Sequence, residues 1–199
     1  MSLVDLKTDN PVLSNIYSRR SIRNFTPEPV PDEIIEEIIK AGTYAPSAVN
    51  KQPWRFVIVK NRELIHRYAE QAKKGWLKLY QGSDDPERQG LVKFMSSLKT
   101  DIFYDAPVLV LVFSSPDAFR GDIDCTLAAG NMMLAAHSMG IGSCWIGLAM
   151  ALGSDPAFLE EIGVPQDYKL IAPLIFGYPE KKSPRAPARN RDVVLKWIE

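Results

Sequence analysis

A chain of 199 residues, 46% hydrophobic and 24% charged, is long enough for one sizeable core and ordinary in make-up for a globular protein. Lys plus Arg and Asp plus Glu balance at 24 each, which excludes a general electrostatic attraction to nucleic acid or acidic membranes. Two cysteines, two histidines and a polar start, "MSLVDLKTDN", give no sign of a disulfide framework, a metal site or a secretory signal, so a cytoplasmic protein is expected.

The first expected element is a short helix through "NPVLSNIYS". It ends at "SRRSIRNF", where Arg19, Arg20 and Arg23 stand close together with no acid among them. In "TPEPVPDEIIEEIIKAG" a proline-rich lead-in gives way to Asp32 and Glu33, which suit the positive end of a helix. Ile34, Ile35, Ile38 and Ile39 form its apolar face, and Gly42 reads as its stop signal. "TYAPSAVNKQP" is a loop and "WRFVIVK" a strand. A helix starting from an Asn61 cap covers "NRELIHRYAEQAKKGWLKLYQG". "GSDDP" is a surface loop, and "PERQGLVKFMSSLKTDI" is helical again. The unbroken apolar run "APVLVLVFSS" marks a central strand covered on both faces.

A helix rich in Ala and Gly follows from about Phe119 to Met139. No charged residue occurs between Cys125 and Ser154. Asn131, His137, Ser138 and the break "MGIG" make this run a buried helix, a tight turn and a buried strand instead of a membrane span. "GSCWIGLA" is a short strand or extended turn, "DPAFLEEIGV" a capped helix and "YKLIAPLIFGYP" a buried strand. The tail that follows carries Lys181, Lys182, Arg185, Arg189 and Arg191. With no repeat and no linker, the pattern is one domain over residues 1–199, α+β or α/β, with a central sheet between helices.

Several chemistries lack their motifs. "GIGSCW" has no third glycine and follows a helix, so it is a poor dinucleotide fingerprint. There is no Gly-Lys-Ser/Thr and no Gly-x-Ser-x-Gly elbow. What remains is an arginine-rich segment near each end. Arginine presents a rigid fork of donors suited to phosphate oxygens. If Arg189 approaches Arg19 and Ser21, they clamp a phosphate; the alternative is two solvated basic clusters. In the loop "APSAVNKQPW", Pro46 fixes a turn while Ser47, Asn50 and Gln52 offer polar side chains beside a strand. Such groups read the edge of a planar heterocycle, or they simply cap the turn.

Four segments, "RRSIRNF", "APSAVNKQPWRFVIV", "GIGSCWIG" and "LIFGYPEKKSPRAPARNRDVVLKWI", resemble the FMN-dependent nitroreductase family in order and spacing over nearly the whole chain. The resemblance implies an α+β fold, a three-layer sandwich with a central, mainly antiparallel sheet, in an intertwined homodimer with FMN at the interface. By position, Arg19, Arg20, Ser21 and Arg23 contact FMN from one subunit, Arg19 and Ser21 near the phosphate and Arg23 toward the pyrimidine side of the ring. Pro46, Ser47, Asn50 and Gln52 come from the partner chain. Cys144, Trp145, Ile146 and Gly147 pass the flavin, with the Ile146 backbone N–H a candidate to face N5. Arg189 completes the phosphate clamp, with Arg185 or Arg191 as alternatives.

The implied reaction takes hydride from NADH or NADPH and reduces small organic acceptors such as nitroaromatics or quinones in ping-pong fashion. The flavin carries the chemistry, and no side-chain general acid or metal is required. Residues 73–99 match no family signature, in a region that covers the site mouth in this family. Iodotyrosine dehalogenases share the core with different chemistry. Two other functions stand beside this one: a flavin-binding regulatory or storage protein without turnover, and a binder of a phosphorylated metabolite with no flavin.

Overall fold

The structure, a computed structural model, describes residues 9–97, 101–181 and 185–199; Lys182 and most of the polar start lie outside them. Helix α1 (Pro11–Ser18) begins with a proline, and the Asn10 side chain accepts hydrogen bonds from the Val12 and Leu13 N–H groups. Helix α2 (Asp32–Thr43) has acids in its first turn and buries Ile35 and Ile38. Then come β1 (Trp54–Val59), α3 (Arg62–Tyr80, capped by Asn61), α4 (Pro86–Ser97) and β2 (Val108–Ser114). After these stand α5 (Gly121–Ser138), β3 (Gly142–Trp145), a 3-10 turn (Gly147–Ser154), α6 (Pro156–Glu161) and β4 (Lys169–Gly177).

The sheet order is β1-β2-β4-β3, and every neighbouring pair is antiparallel. Strand β2 explains the layering. Its Leu109, Leu111 and Phe113 join a cluster with Ile65, Ala72, Met95 and Phe158 from α3, α4 and α6. Val108, Val110 and Val112 join Ile35, Ile38, Cys125 and Met132 from α2 and α5 on the other face. Both faces are covered, so the strand carries no polar alternation. The result is the expected α+β architecture, with helices on either side of an antiparallel sheet. Among the described residues, no helix is long and apolar enough to cross a membrane.

Two small-residue features act inside the single chain. Gly42, expected to end α2, lies within it, because the helix runs on to Thr43. A Cβ at Gly42 would stand 2.7 Å from the Met132 Cγ, so glycine here lets α2 approach α5. Ala128, Ala129 and Ala136 of α5 are fully buried in the same layer. Asp155 ties the other layer together. It caps α6 by accepting from the Ala157 and Phe158 N–H groups and also accepts from Gln71 Nε2 at 2.7 Å. The Gln71 hydrogen bond leads in holding its carboxyl below the usual range.

Candidate functional site

The arginine segment is laid along the outer edge of β3. Ser21 pairs with Ser143 in a parallel bridge, and the Ile22 N–H donates to the Ser143 carbonyl at 3.0 Å. Gly142 permits this contact, since a Cβ there would stand 2.9 Å from Ile22 side-chain atoms. Ile22 is buried, so its neighbours Ser21 and Arg23 are turned away from the core. Burial pushes the Cys144 thiol up, while Arg23, Ser21 and Arg19 act against it, which groups these three side chains around that strand.

Several donors here have no acceptor. Arg19 Nη1, Arg20 Nε and Ser143 Oγ are buried without a hydrogen-bond partner. Each unsatisfied buried group costs about 1–3 kcal/mol unless a ligand completes it. Arg20 is partly occupied by structure: its Nη1 donates to the Tyr17 and Arg19 carbonyls, closing the end of α1. An anion with several acceptor oxygens fits this donor set.

His137 stands next to it. Ser18 Oγ donates to the Ser14 carbonyl at 2.7 Å, leaving its lone pairs for His137 Nε2 at 2.8 Å. Burial, then the Arg19 and Arg20 charges, hold His137 below the usual histidine range. The stability this depressed value carries is complete above the unfolded pKa of about 6.5 and is lost as pH falls toward the folded value. The melting temperature of the ligand-free protein should therefore fall between about pH 7 and pH 5.5, and His137→Gln should flatten that slope. An identical slope in the variant excludes this origin.

The second polar segment is the loop before β1. Pro46, Asn50 and Gln52 are exposed and Ser47 is half-buried. Ser47 Oγ accepts from the Gln52 N–H at 3.0 Å, and Gln52 Nε2 donates to Asn50 Oδ1 at 3.1 Å. Val49, Asn50 and Gln52 have φ of 48°, 57° and 50°. For β-branched Val49 that left-handed conformation is strained and persists only because its surroundings hold it. The Ala48 N–H donates to both Asp124 oxygens at 3.2 Å, the Ser115 N–H donates to the Pro53 carbonyl, and Lys51 pairs with Asp117.

The two segments do not meet within one chain. One is tied to α5 at Asp124, the other at His137, and thirteen residues of helix separate these by about 20 Å. They also lie at opposite edges of the sheet, one leading into β1 and the other on β3. Cys144 and Ile146 are buried, Trp145 is half-buried and Gly147 is exposed. The Ile146 N–H, a candidate flavin donor by resemblance, is already committed to the Pro173 carbonyl at 2.9 Å. Gly147 opens the 3-10 turn, where the first N–H groups have no partner within the turn, and nothing lies within 4 Å of a Cβ built on it. Arg185, Arg189 and Arg191 are exposed and belong to the tail after β4, as part of no helix or strand.

Sequence reasoning passed over Ser143, His137 and Asp124. Asp124 did leave a trace, as the last charge before the uncharged run. The fold also brings His66 to Asp101 (2.5 Å) and near Asp105 (3.7 Å), a contact that sequence spacing did not signal; it ties α3 to the loop before β2.

Comparisons with known proteins agree on one family. The model of the nitroreductase family matches residues 16–178. An Archaeoglobus fulgidus protein assigned as an NADH dehydrogenase/NAD(P)H nitroreductase is 31% identical over 180 residues, 90% of this chain and 91% of its own. A Thermotoga neapolitana iodotyrosine deiodinase is 30% identical over 182 residues, 88% of this chain and 92% of its own. The crystal structure of a Bacteroides fragilis nitroreductase with bound FMN superposes with a TM-score of 0.80 at 30% identity, covering 96% of this chain and 100% of that one. The chain belongs to the nitroreductase family.

Proposed function

We propose that this protein binds FMN between two copies of the chain and acts as an FMN-dependent oxidoreductase. It takes hydride from NADH or NADPH and reduces small organic acceptors such as nitroaromatics or quinones in alternating half-reactions. The observation that carries this reading is the pair of half-sites at the two ends of α5. One has buried donors without acceptors; the other is a strained polar loop. A second copy related by a twofold axis brings the first half-site of one chain to the second of the other. Surface for such a dimer exists: Ile123 and Leu127 of α5, Ile16 and Tyr17 of α1, and Leu195, Trp197 and Ile198 of the tail are exposed apolar side chains.

In this reading Arg19 and Ser21 hold the phosphate, with Ser143 Oγ as a further donor and Arg189 closing over it from the tail. Arg23 lies toward the pyrimidine side, where its fixed positive charge favours the electron-rich form of the ring. Pro46, Ser47, Asn50 and Gln52 of the other copy read the heterocycle edge. Cys144 and Trp145 form the wall, and the Gly147 N–H takes the place expected for that of Ile146. Arg20 holds the end of α1 beneath the phosphate. When bound, FMN supplies the redox chemistry, accepting hydride from the nicotinamide and passing the electrons on. The second half of α3 and α4, which span most of residues 73–99, frame the mouth and select the acceptor. Halogenated phenols are a second acceptor class, favoured by the similarity to an iodotyrosine deiodinase.

The test is colour. Purified protein incubated with FMN and desalted should stay yellow, and NADH or NADPH should bleach it without oxygen. A nitroaromatic or an iodinated phenol should then restore the colour. Protein that retains no FMN contradicts the reading. Retained FMN that neither nicotinamide bleaches points to a regulatory or storage role.

A further inference from the structure

Asp124 is the only buried charged side chain among the described residues, 3% exposed, and its carboxylate reaches out of α5 to a loop 76 positions earlier. A buried carboxylate without good partners is costly. Its position explains part of how it is tolerated. Asp124 is in the first turn of α5, where the helix presents its positive end. Both of its oxygens face the Ala48 N–H at 3.2 Å.

That N–H belongs to the residue just before the strained stretch. Val49, 88% exposed, has no packing to hold it left-handed, and Asn50 follows in the same conformation. The inner brace on this turn comes from α5 through Asp124; the outer ones are the Ser47–Gln52 hydrogen bond and the Lys51–Asp117 pair at the surface. We infer that Asp124 is a positioning residue, which fixes the turn that aims Ser47 and Asn50 at the ring edge of a bound flavin. It touches no flavin itself and acts through the Ala48 N–H. The inference rests on the proposed flavin reading and adds to it the group that sets the loop's geometry.

The two ends of the ligand separate the possibilities. Riboflavin has the ring and lacks the phosphate, so a ring-edge defect weakens riboflavin and FMN alike. Asp124→Ala should weaken both by the same factor, roughly tenfold, as expected for loss of one hydrogen bond to a charged group. The visible absorption band of the remaining bound flavin should shift toward that of free FMN. Asp124→Asn, which keeps an acceptor oxygen, should recover part of the loss. If Asp124→Ala does not fold, Ala48→Pro removes the donor from the other side. Ser47, at φ −139° and ψ 151°, already has the extended backbone that a following proline requires. That variant should show the same parallel loss, and in the Asp124→Ala background it should add nothing. Unchanged affinities in either single variant, or a loss confined to FMN, overturn the inference. Wild-type protein that binds neither flavin overturns the flavin reading instead.

Discussion

Leu127→Arg should convert the protein to a monomer that no longer holds FMN. Leu127 lies on α5 one turn from Ile123, and both are more than 40% exposed in the single chain. Leu127 is largely exposed in the single chain, so an arginine there leaves the core intact. In a dimer that covers this stripe, the guanidinium is buried against apolar side chains without a partner, which disfavours association strongly. If each site takes its ring-edge contacts from the second copy, losing the dimer removes several polar contacts at once. FMN affinity should fall by more than about a hundredfold, the size expected for two hydrogen bonds to charged or strongly polar groups. Sedimentation and flavin fluorescence titration check the two halves of this expectation. A variant that stays dimeric, or a monomer that binds FMN like the wild type, defeats it.

Arg19→Ala should separate ligand affinity from stability. On the proposed reading the lost interaction is a charge-assisted hydrogen bond to phosphate, about 1.5–3 kcal/mol, so FMN should bind roughly 10- to 100-fold more weakly. Riboflavin affinity should not change. The ligand-free protein should be no less stable than the wild type, because Arg19 Nη1 is buried there without a partner and its removal relieves an unsatisfied donor. Titrations with both flavins and a thermal melt without flavin test this. Equal weakening of riboflavin, or a large drop in melting temperature, assigns Arg19 to the scaffold instead.

Much of the fold was legible because its signals are local. The apolar run from Val108 to Ser114 could only be a strand covered on both faces, and the caps at Asn10, Asn61 and Asp155 are side chains followed directly by their helices. Gly42 was misread because a glycine that ends a helix and one that lets another helix approach look the same in sequence. Only the position of Met132 tells them apart. The hydrogen bond that occupies the Ile146 N–H was hidden for a similar reason: its partner, the Pro173 carbonyl, comes from β4, later in the chain.

Apart from the family resemblance, the proposed site was legible as residue types and illegible as an arrangement. Arginines and small polar residues in two loops suit a phosphate and a heterocycle edge, and as residue types they suit solvated clusters and a capped turn as well. Their separation by the length of α5 depends on the sheet order β1-β2-β4-β3, and no local pattern encodes that. Ser143 stayed hidden because its meaning lies in Ser21 beside it and in the acceptor its hydroxyl lacks. Asp124 stayed hidden because a first-turn acid is ordinary on any helix.

The composite site is tested most directly by complementation between two defective chains. One carries Arg19→Ala; the other carries Ser47→Ala with Asn50→Ala. Each alone should bind FMN weakly. After the two are mixed and allowed to exchange subunits, each mixed dimer has one site carrying every defect and one site carrying none. With random exchange, about one quarter of all sites should regain wild-type FMN affinity. If the two half-sites instead served a flavin within a single chain, every site in the mixture would keep a defect. No tight-binding fraction would then appear, and that result contradicts the account.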